Sequence, residues 1–316
     1  MVLSETKLLN NLRAISRYCI LFGVVVALVF LPFGGIALEL QIVLALAALT
    51  IGIPHGAVDH LITVPKLASL KMALFLTAYL GVVGVAIWAI LSANLIGFQA
   101  VVLMSAIHFG LGDAAFISEL DARQLGVKKF PKAAYIVASG FTPVVIPLVS
   151  QQSTEALAAV NPKLIDWAGA FAPALFALMI VVAAASIIWM LITQRIQEAI
   201  DLALLLTLVL SAPPLVAFAF YFGLWHALRH TGRLSLEFEK AQVQHRKDKS
   251  WNAFGVSVLA GAPALAAVLA FTIFLGISRG FDLSQQLLWY LLVVIWALTV
   301  PHMALTLRLD LKALRL

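Results

Sequence analysis

Two histidines in the second half of the chain have the spacing of paired metal ligands. His226 and His230 lie four residues apart in the stretch FYFGLWHALRH. On a helix this spacing puts both side chains on one face, about one turn apart. Neutral imidazoles suit iron, copper or zinc. An HxxxH pair alone is a weak signal, so the pair predicts a metal site only if other ligands converge on it.

Further histidines occur at the ends of apolar segments. His55 follows a proline in ALTIGIPHGAVDH, and His108 lies in SAIHFGLGD. Ionisable groups within apolar spans are costly and tend to be functional. We therefore nominate His55 and His108, together with the HxxxH pair, as ligands of one metal ion.

Ligating histidines usually need a partner on the other ring nitrogen. Polar residues close to the nominated ligands in sequence are the candidates for that role or for handling protons. His302, in LTVPHMALTL, is a candidate of the same kind on the last apolar segment. The full set of these candidates is Asp59, His60, Asp113 and His302.

The composition is that of an integral membrane protein. The 316 residues are 63% hydrophobic and 11% charged, whereas a soluble domain carries about 25% charged residues. Apolar segments follow one another without room for a separate soluble module, so we expect residues 1–316 to form a single transmembrane domain. The first apolar run lacks a small-x-small cleavage site, which favours a retained span over a signal peptide.

The cysteine count and the charge exclude other classes of function. Cys19 is the only cysteine, so an intrachain disulfide is impossible and a thiolate metal site is not expected. The net charge of +6 indicates Lys and Arg on cytoplasmic loops of a membrane protein rather than nucleic-acid binding. The sequence contains no Walker loop, dinucleotide fingerprint or nucleophile elbow.

Long apolar runs must position these histidines, and they predict an all-α polytopic helical bundle in the cell (inner) membrane. A crossing helix needs roughly 20 apolar residues. The short alternating segments of a barrel are not seen. The candidate spans are residues 15–34, 37–54, 70–92, 95–116, 133–149, 166–193, 251–277 and 285–307, together with a broken stretch at 198–230.

The broken stretch decides the predicted topology. Pro213 and Pro214 should interrupt a helix, because each lacks a backbone N–H. A single crossing would divide the 21 Lys and Arg residues almost evenly between the two sides. Two short helices that enter and return would put all of them except Lys163 and Arg279 on the side of the N-terminus. The positive-inside rule favours the second arrangement, with about ten membrane segments, or a re-entrant pair at 198–230, and both termini in the cytoplasm.

That topology brings the histidines of the apolar segments to one side of the membrane. An all-imidazole site can hold iron(II) with positions open for dioxygen, so the residues suggest an oxygen-using enzyme acting on a membrane lipid or isoprenoid. Tyr221, Phe222 and Trp225 are candidates for the wall of a substrate tunnel. Helix packing or an interfacial aromatic belt explains these three residues equally well.

Four motifs carry a resemblance to a known family. PHGAVDH, SAIHFGLGD, FYFGLWHALRH and VPHMALTL, in this order within residues 50–307, resemble the Brp/Blh family of membrane β-carotene 15,15′-dioxygenases. The resemblance implies central cleavage of β-carotene by iron(II) and O2, giving two molecules of retinal that serve microbial rhodopsins. Carried over by motif, the iron ligands are His55, His108, His226 and His230, the same four that the topology indicates.

Other functions remain open at this point. A membrane di-iron desaturase or hydroxylase needs several histidine boxes, whereas this chain has 7 histidines in all and one HxxxH. A metal or proton transporter could use the same histidines and the broken helix as its pathway, although few carboxylates lie within the spans. A haem protein with paired axial histidines is a further alternative. Metal stoichiometry, flux across vesicles and a Soret band would separate these functions.

Overall fold

The computed structural model describes residues 2–56, 58, 62, 69–278, 280 and 283–315, which are helical with no strand among them. The α-helices are α1 Val2–Phe30, α2 Leu38–Gly56, α3 Ser69–Ser92, α4 Asn94–Asp121, α5 Lys132–Val149, α6 Ser153–Val160, α7 Ala172–Ile192, α8 Ile196–Ser211, α9 Pro214–Phe218, α10 Ala227–Glu237, α11 Glu239–Arg246, α12 Ser250–Ser278 and α13 Leu283–Leu314. A π-helix, Ala219–His226, joins α9 to α10. Short 3-10 turns occur at Leu31–Phe33, Pro162–Leu164 and Gly169–Phe171.

Eight helices in the described part of the chain are long and apolar enough to cross a membrane, namely α1 to α5, α7, α12 and α13. They correspond to the eight continuous spans predicted from the sequence, so the prediction of an all-α membrane protein is confirmed. Large apolar side chains such as Trp88, Ile192 and Leu259 are exposed on these helices, as a lipid-facing surface requires. The total of ten segments and the side on which the termini lie stay predictions.

The chain breaks at the two adjacent prolines. Helix α8 ends at Ser211, and Ala212 and Pro213 are extended, with ψ angles of 144° and 154°. Helix α9 then begins at Pro214, where the missing N–H falls in a first turn that needs no intrahelical donor. The continuation widens into the π-helix that ends at His226. Such widened turns are frequent at functional sites.

Helix α4, which carries His108, is the most enclosed of the eight, with 67% of its apolar window buried. It packs most extensively on α5. A Cβ added at Gly110 would overlap the carbonyl oxygen of Ile136, and one at Gly140 would overlap the carbonyl oxygen of Ala106. The two glycines therefore allow a close helix contact that a side chain would prevent. Helices α10 and α13 also pack on α4, while the π-helix and α10 pack on α2.

A buried ion-pair network connects α1 with α8 and α10. Arg13 donates to Asp201 at 2.9 Å and to Glu198 at 2.7 Å. Arg17 donates to the other oxygen of Asp201 at 2.6 Å, and Arg229 lies 3.6 Å from that oxygen. Asp201 has no exposed surface, so its charge depends on these arginines. The network fixes the segment that carries the HxxxH pair against the N-terminal helix.

The segment 229–249 is rich in charged residues, yet part of it is buried in the bundle. It forms most of α10 together with α11, and Arg229, Arg233 and His245 are buried. Arg233 is held at 2.6 Å from Asp310 of the last helix. The two buried arginines are accommodated because carboxylates distant in sequence meet them, whereas the other Lys, Arg, Asp and Glu residues of the segment are exposed.

Candidate metal centre

Five histidines meet inside the bundle, and all are buried, with exposed fractions between 1% and 7%. They come from α2, α4, the π-helix, α10 and α13. Neighbouring ring centroids lie between 4.9 and 6.1 Å apart. Rings at this spacing can direct nitrogen lone pairs at one ion. The histidine cluster consists of His55, His108, His226, His230 and His302.

The tightest part of the cluster is formed by His55, His108 and His302. Nε2 of His302 lies 3.3 Å from Nε2 of His108, and one ring nitrogen from each of the three lies within 4.8 Å of the other two. Metal–imidazole bonds of about 2.0–2.1 Å in tetrahedral geometry separate two ligand nitrogens by ~3.4 Å. The spacing between His108 and His302 is therefore that of two ligands of one ion.

Local sequence fixes the orientation of His55. Its Nδ1 donates a hydrogen bond to the Gly52 carbonyl within α2, which leaves Nε2 as the nitrogen available to a metal. Pro54 precedes it inside the helix and withholds a backbone N–H. A Cβ at Gly52 would overlap the ring of Phe222, so the glycine also admits that aromatic ring beside the cluster.

Asp113 lies beside His226. Its Oδ1 is 3.6 Å from Nδ1 of His226, while its Oδ2 accepts a hydrogen bond from Nε1 of Trp225 at 2.9 Å. A Cβ at Gly112 would lie 3.1 Å from Cε1 of His226, so the glycine leaves room for the ring. A carboxylate beside one ring nitrogen directs the other nitrogen towards a metal, and Asp113 has the position for that role.

The ring nitrogens of His226 and His230 are buried without a hydrogen-bond partner among the described residues. Each buried polar atom left in this state costs about 1–3 kcal/mol. A metal ion that accepts a lone pair from each ring would remove part of this cost. The donor set, neutral imidazoles throughout, also suits a first-row transition metal. The residues of the cluster therefore fit a metal ion.

A cavity of about 340 Å³, here called the apolar cavity, is lined in part by His55, His108 and His302. Its volume falls within the range of small-molecule sites. Apolar side chains from many of the helices form nearly all of the wall, which suits a lipid-soluble molecule. The aromatic residues of that wall are Phe75, Tyr79, Phe98, Phe109, Phe218, Tyr221, Phe222 and Trp296.

The structure brings together the four ligands nominated from sequence and adds His302 to them. The sequence carried a signal for this residue, because Pro301–His302 repeats the dipeptide Pro54–His55 and both prolines lie inside helices. Asp113, nominated as a partner of the ligands, lies beside the cluster. The two remaining candidates for that role, Asp59 and His60, lie outside the described residues.

Two of the three aromatic candidates for the substrate tunnel line the cavity, and the third does not. Tyr221 and Phe222 line the apolar cavity. Trp225 lies away from that cavity, completely buried, with the guanidinium carbon of Arg229 at 3.3 Å from its ring centroid. Its indole N–H is engaged by Asp113. Wall residues on other helices, such as Trp296, could not be predicted from the sequence, because they are distant in sequence from the HxxxH pair.

Comparison with known proteins agrees with the four motifs. A family model described as "Beta-carotene 15,15'-dioxygenase" matches residues 46–310, a range that includes the whole histidine cluster. A relative from Halobacterium salinarum, named "Probable beta-carotene 15,15'-dioxygenase Blh", is 24% identical over 289 residues, which are 84% of this chain and 83% of that protein. No solved structure matches the chain. The resemblance inferred from the motifs is thereby confirmed.

Proposed function

The chain belongs to the β-carotene 15,15′-dioxygenase family, and from this premise we propose that it cleaves β-carotene at the central double bond with O2 to give two molecules of retinal. The reaction takes place in the cell (inner) membrane, where the hydrocarbon substrate is dissolved. The observation that carries the proposal is the apolar cavity whose wall includes His55, His108 and His302. Among the residues that line the cavity, the histidines are the ones whose nitrogen atoms can bind a metal next to the polyene.

The proposed cofactor is iron(II), held by His55, His108, His226 and His230. His302 belongs to the same donor set, supported by the 3.3 Å between its Nε2 and that of His108. The unpartnered ring nitrogens of the HxxxH pair support the assignment independently. When bound, iron(II) would supply the centre at which dioxygen becomes reactive towards a carbon–carbon double bond.

The protein's own groups orient the ligands. The Gly52 carbonyl holds the proton of His55 on Nδ1, and Asp113 is positioned to do the same for His226. Both arrangements leave Nε2 free to bind the metal. Trp225 in turn holds Asp113 through its indole N–H, so the residue contributes to ligand orientation rather than to the substrate wall.

Aromatic rings next to the cluster would position the polyene. The ring centroid of Phe109 lies 4.4 Å from that of His226, and the ring centroid of Phe222 lies 5.9 Å from that of His55. A chain of conjugated double bonds packed against these rings would be held in a fixed position relative to the metal. Holding the reacting atoms in register is the main contribution that a rigid apolar wall can make.

The polar groups near the cavity match a reaction without net proton transfer. One C=C and one O2 become two C=O groups, so neither protons nor an external reductant are consumed. The hydroxyl of Tyr221 donates to the Ser139 carbonyl at 2.9 Å, which leaves its ring towards the cavity and its proton engaged elsewhere. The apolar wall also excludes water, which protects the product aldehydes from side reactions.

Retinal extracted from β-carotene-producing bacteria that express the protein tests this proposal. The wild type should accumulate retinal, and His226→Ala should not. His245→Asn is the matched control, because His245 is a buried histidine bonded to Ser235 and Ser250 away from the cluster. Intact carotene in wild-type cells with folded, iron-containing protein would refute the proposal. One iron per chain agrees with it, whereas two would favour a di-iron enzyme.

A further inference from the structure

A second cavity, of about 190 Å³, lies against His230 between α4, α10 and α13. We call it the charged cavity, because six of its ten lining side chains are ionisable. None of its lining residues belongs to the apolar cavity, so the histidine cluster is approached by two separate spaces. The lining consists of Glu119, Arg123, His230, Arg233, Leu234, Leu236, Glu237, Leu309, Lys312 and Ala313.

Each arginine and lysine in this lining is paired with a carboxylate. Arg233 contacts Glu119 at 3.1 Å and Asp310 at 2.6 Å. Two further pairs, Arg123 with Glu5 at 3.2 Å and Lys312 with Glu237 at 3.1 Å, complete the set. These three ion-pair groups contain four carboxylates and three bases, and two of the carboxylates, Glu119 and Glu237, line the cavity itself. The additional carboxylate belongs to the group around Arg233.

Glu119 uses one of its two carboxylate oxygens in the ion pair with Arg233. The other, Oε2, is buried and has no hydrogen-bond partner among the described residues. A buried carboxylate oxygen left in this state is costly unless another group or ion satisfies it. Carboxylate oxygen is also a ligand that divalent cations accept readily.

The charged cavity extends from the surface to the cluster. The side chains of Lys312 and Glu237 are 67% and 41% exposed and lie at its outer end. His230 lies at its inner end, 3% exposed, and neither of its ring nitrogens has a hydrogen-bond partner in the part of the chain that the structure describes. The ring centroid of His230 is 5.2 Å from that of His55. An ion that reaches His230 has therefore reached the cluster.

The apolar cavity is unsuited to carry a metal ion to the histidine cluster. Removing a cation from water into apolar surroundings costs several kcal/mol or more, unless ligands replace the water. Apart from a few hydroxyl groups, such as those of Ser105 and Thr299, the described wall of that cavity offers such ligands only at the histidines. The charged cavity offers two carboxylates, Glu119 and Glu237, in addition to His230. Its lining can therefore replace part of the water shell of an entering ion.

We propose that the charged cavity is the route by which a hydrated divalent metal ion reaches the histidine cluster, with Glu119 as an intermediate ligand and His230 as the residue that receives the ion. The inference rests on the proposed function, because it requires that the cluster bind a metal. It adds a second role for His230 and assigns one to Glu119, which takes no part in carotene cleavage.

The test measures how fast metal-free protein takes up a metal. Purified wild-type protein in detergent is stripped with a chelator and mixed with Co²⁺, whose visible absorption reports binding to imidazoles. Glu119→Gln keeps the shape and removes the charge, and Ala313→Phe fills the charged cavity. Each variant should slow uptake by about tenfold or more, with final occupancy unchanged. Leu292→Trp, which fills the apolar cavity instead, should take up Co²⁺ at the wild-type rate.

The outcomes separate this inference from the function on which it rests. Wild-type uptake rates in folded Glu119→Gln protein would overturn the route, and so would slow uptake confined to Leu292→Trp. Either result leaves the metal centre itself intact. If the wild-type protein binds no Co²⁺ and no Fe²⁺ at saturation, the metal centre fails, and the route fails with it. Ala313→Phe is interpreted only if its thermal unfolding resembles that of the wild type.

Discussion

Replacing Asp113 by Asn should weaken metal binding through the tautomer of His226, although the two side chains have the same shape. Oδ2 of Asp113 accepts the indole N–H of Trp225 at 2.9 Å. An amide NH2 cannot accept that hydrogen bond, so the Asn side chain must turn its oxygen to Trp225 and its NH2 to His226. The nitrogen it then faces, Nδ1 of His226, lies 3.6 Å from the present carboxylate oxygen.

An NH2 group at that position makes Nδ1 an acceptor and moves the ring proton to Nε2, the nitrogen that should bind the metal. Loss of such an orienting partner typically costs 10–100-fold in metal affinity, or ~1.4–2.7 kcal/mol. The assay is equilibrium competition for Fe²⁺ or Co²⁺ against a chelator of known affinity, with thermal unfolding as the check on folding.

The matched control for this substitution is the double variant Asp113→Asn with Trp225→Phe. Removal of the indole donor frees the amide to turn its oxygen towards His226, so part of the lost affinity should return. A folded Asp113→Asn variant that binds metal as tightly as the wild type would refute the reasoning. Equal losses in the single and double variants would show that Trp225 does not fix the amide.

Three other substitutions test the packing, the ion pairs and the pH response. Gly52→Val should push the ring of Phe222, which faces Gly52, into the apolar cavity. Retinal formation should fall by about 100-fold, with no loss of iron. Gly255→Val is the control, because a Cβ there meets no described atom within 4 Å, and it should change neither retinal formation nor iron content. Asp201→Asn should destabilise the protein by ~3–5 kcal/mol, because Arg13, Arg17 and Arg229 lose the carboxylate charge that they share. A thermal midpoint equal to that of the wild type would contradict this. Burial lowers the pKa of His245, so the stability it contributes is present above its unfolded pKa of about 6.5 and is lost as the pH falls below that value. The thermal midpoint should therefore fall less on acidification in His245→Asn than in the wild type.

Much of this architecture can be predicted from the sequence because the bilayer imposes strong rules. Apolar runs locate the eight long helices, and the adjacent Pro213 and Pro214 locate the break in the remaining stretch. Charge asymmetry and motif spacing together select the four nominated histidines. These signals are local, or depend only on which side of a membrane a residue occupies.

What the sequence does not reveal depends on tertiary contacts. Trp225 lies one residue before a nominated ligand and resembles a tunnel residue, yet a π-helix turns it to Asp113 and Arg229. No periodicity marks a π-helix in advance. Arg233 likewise looks solvated in a charged stretch, because its partner Asp310 is 77 residues away. His302 could have been recognised from the repeated Pro–His dipeptide.

The decisive measurement is a single turnover of iron-loaded protein with β-carotene under isotopically heavy dioxygen. The products are reduced at once to retinol, so that the aldehyde oxygen cannot exchange with water. If the histidine cluster is the centre of a dioxygenase, each carotene gives two retinol molecules and both carry the heavy isotope. Label in only one of the two, or no cleavage by protein with its cluster filled by iron, would contradict the assignment.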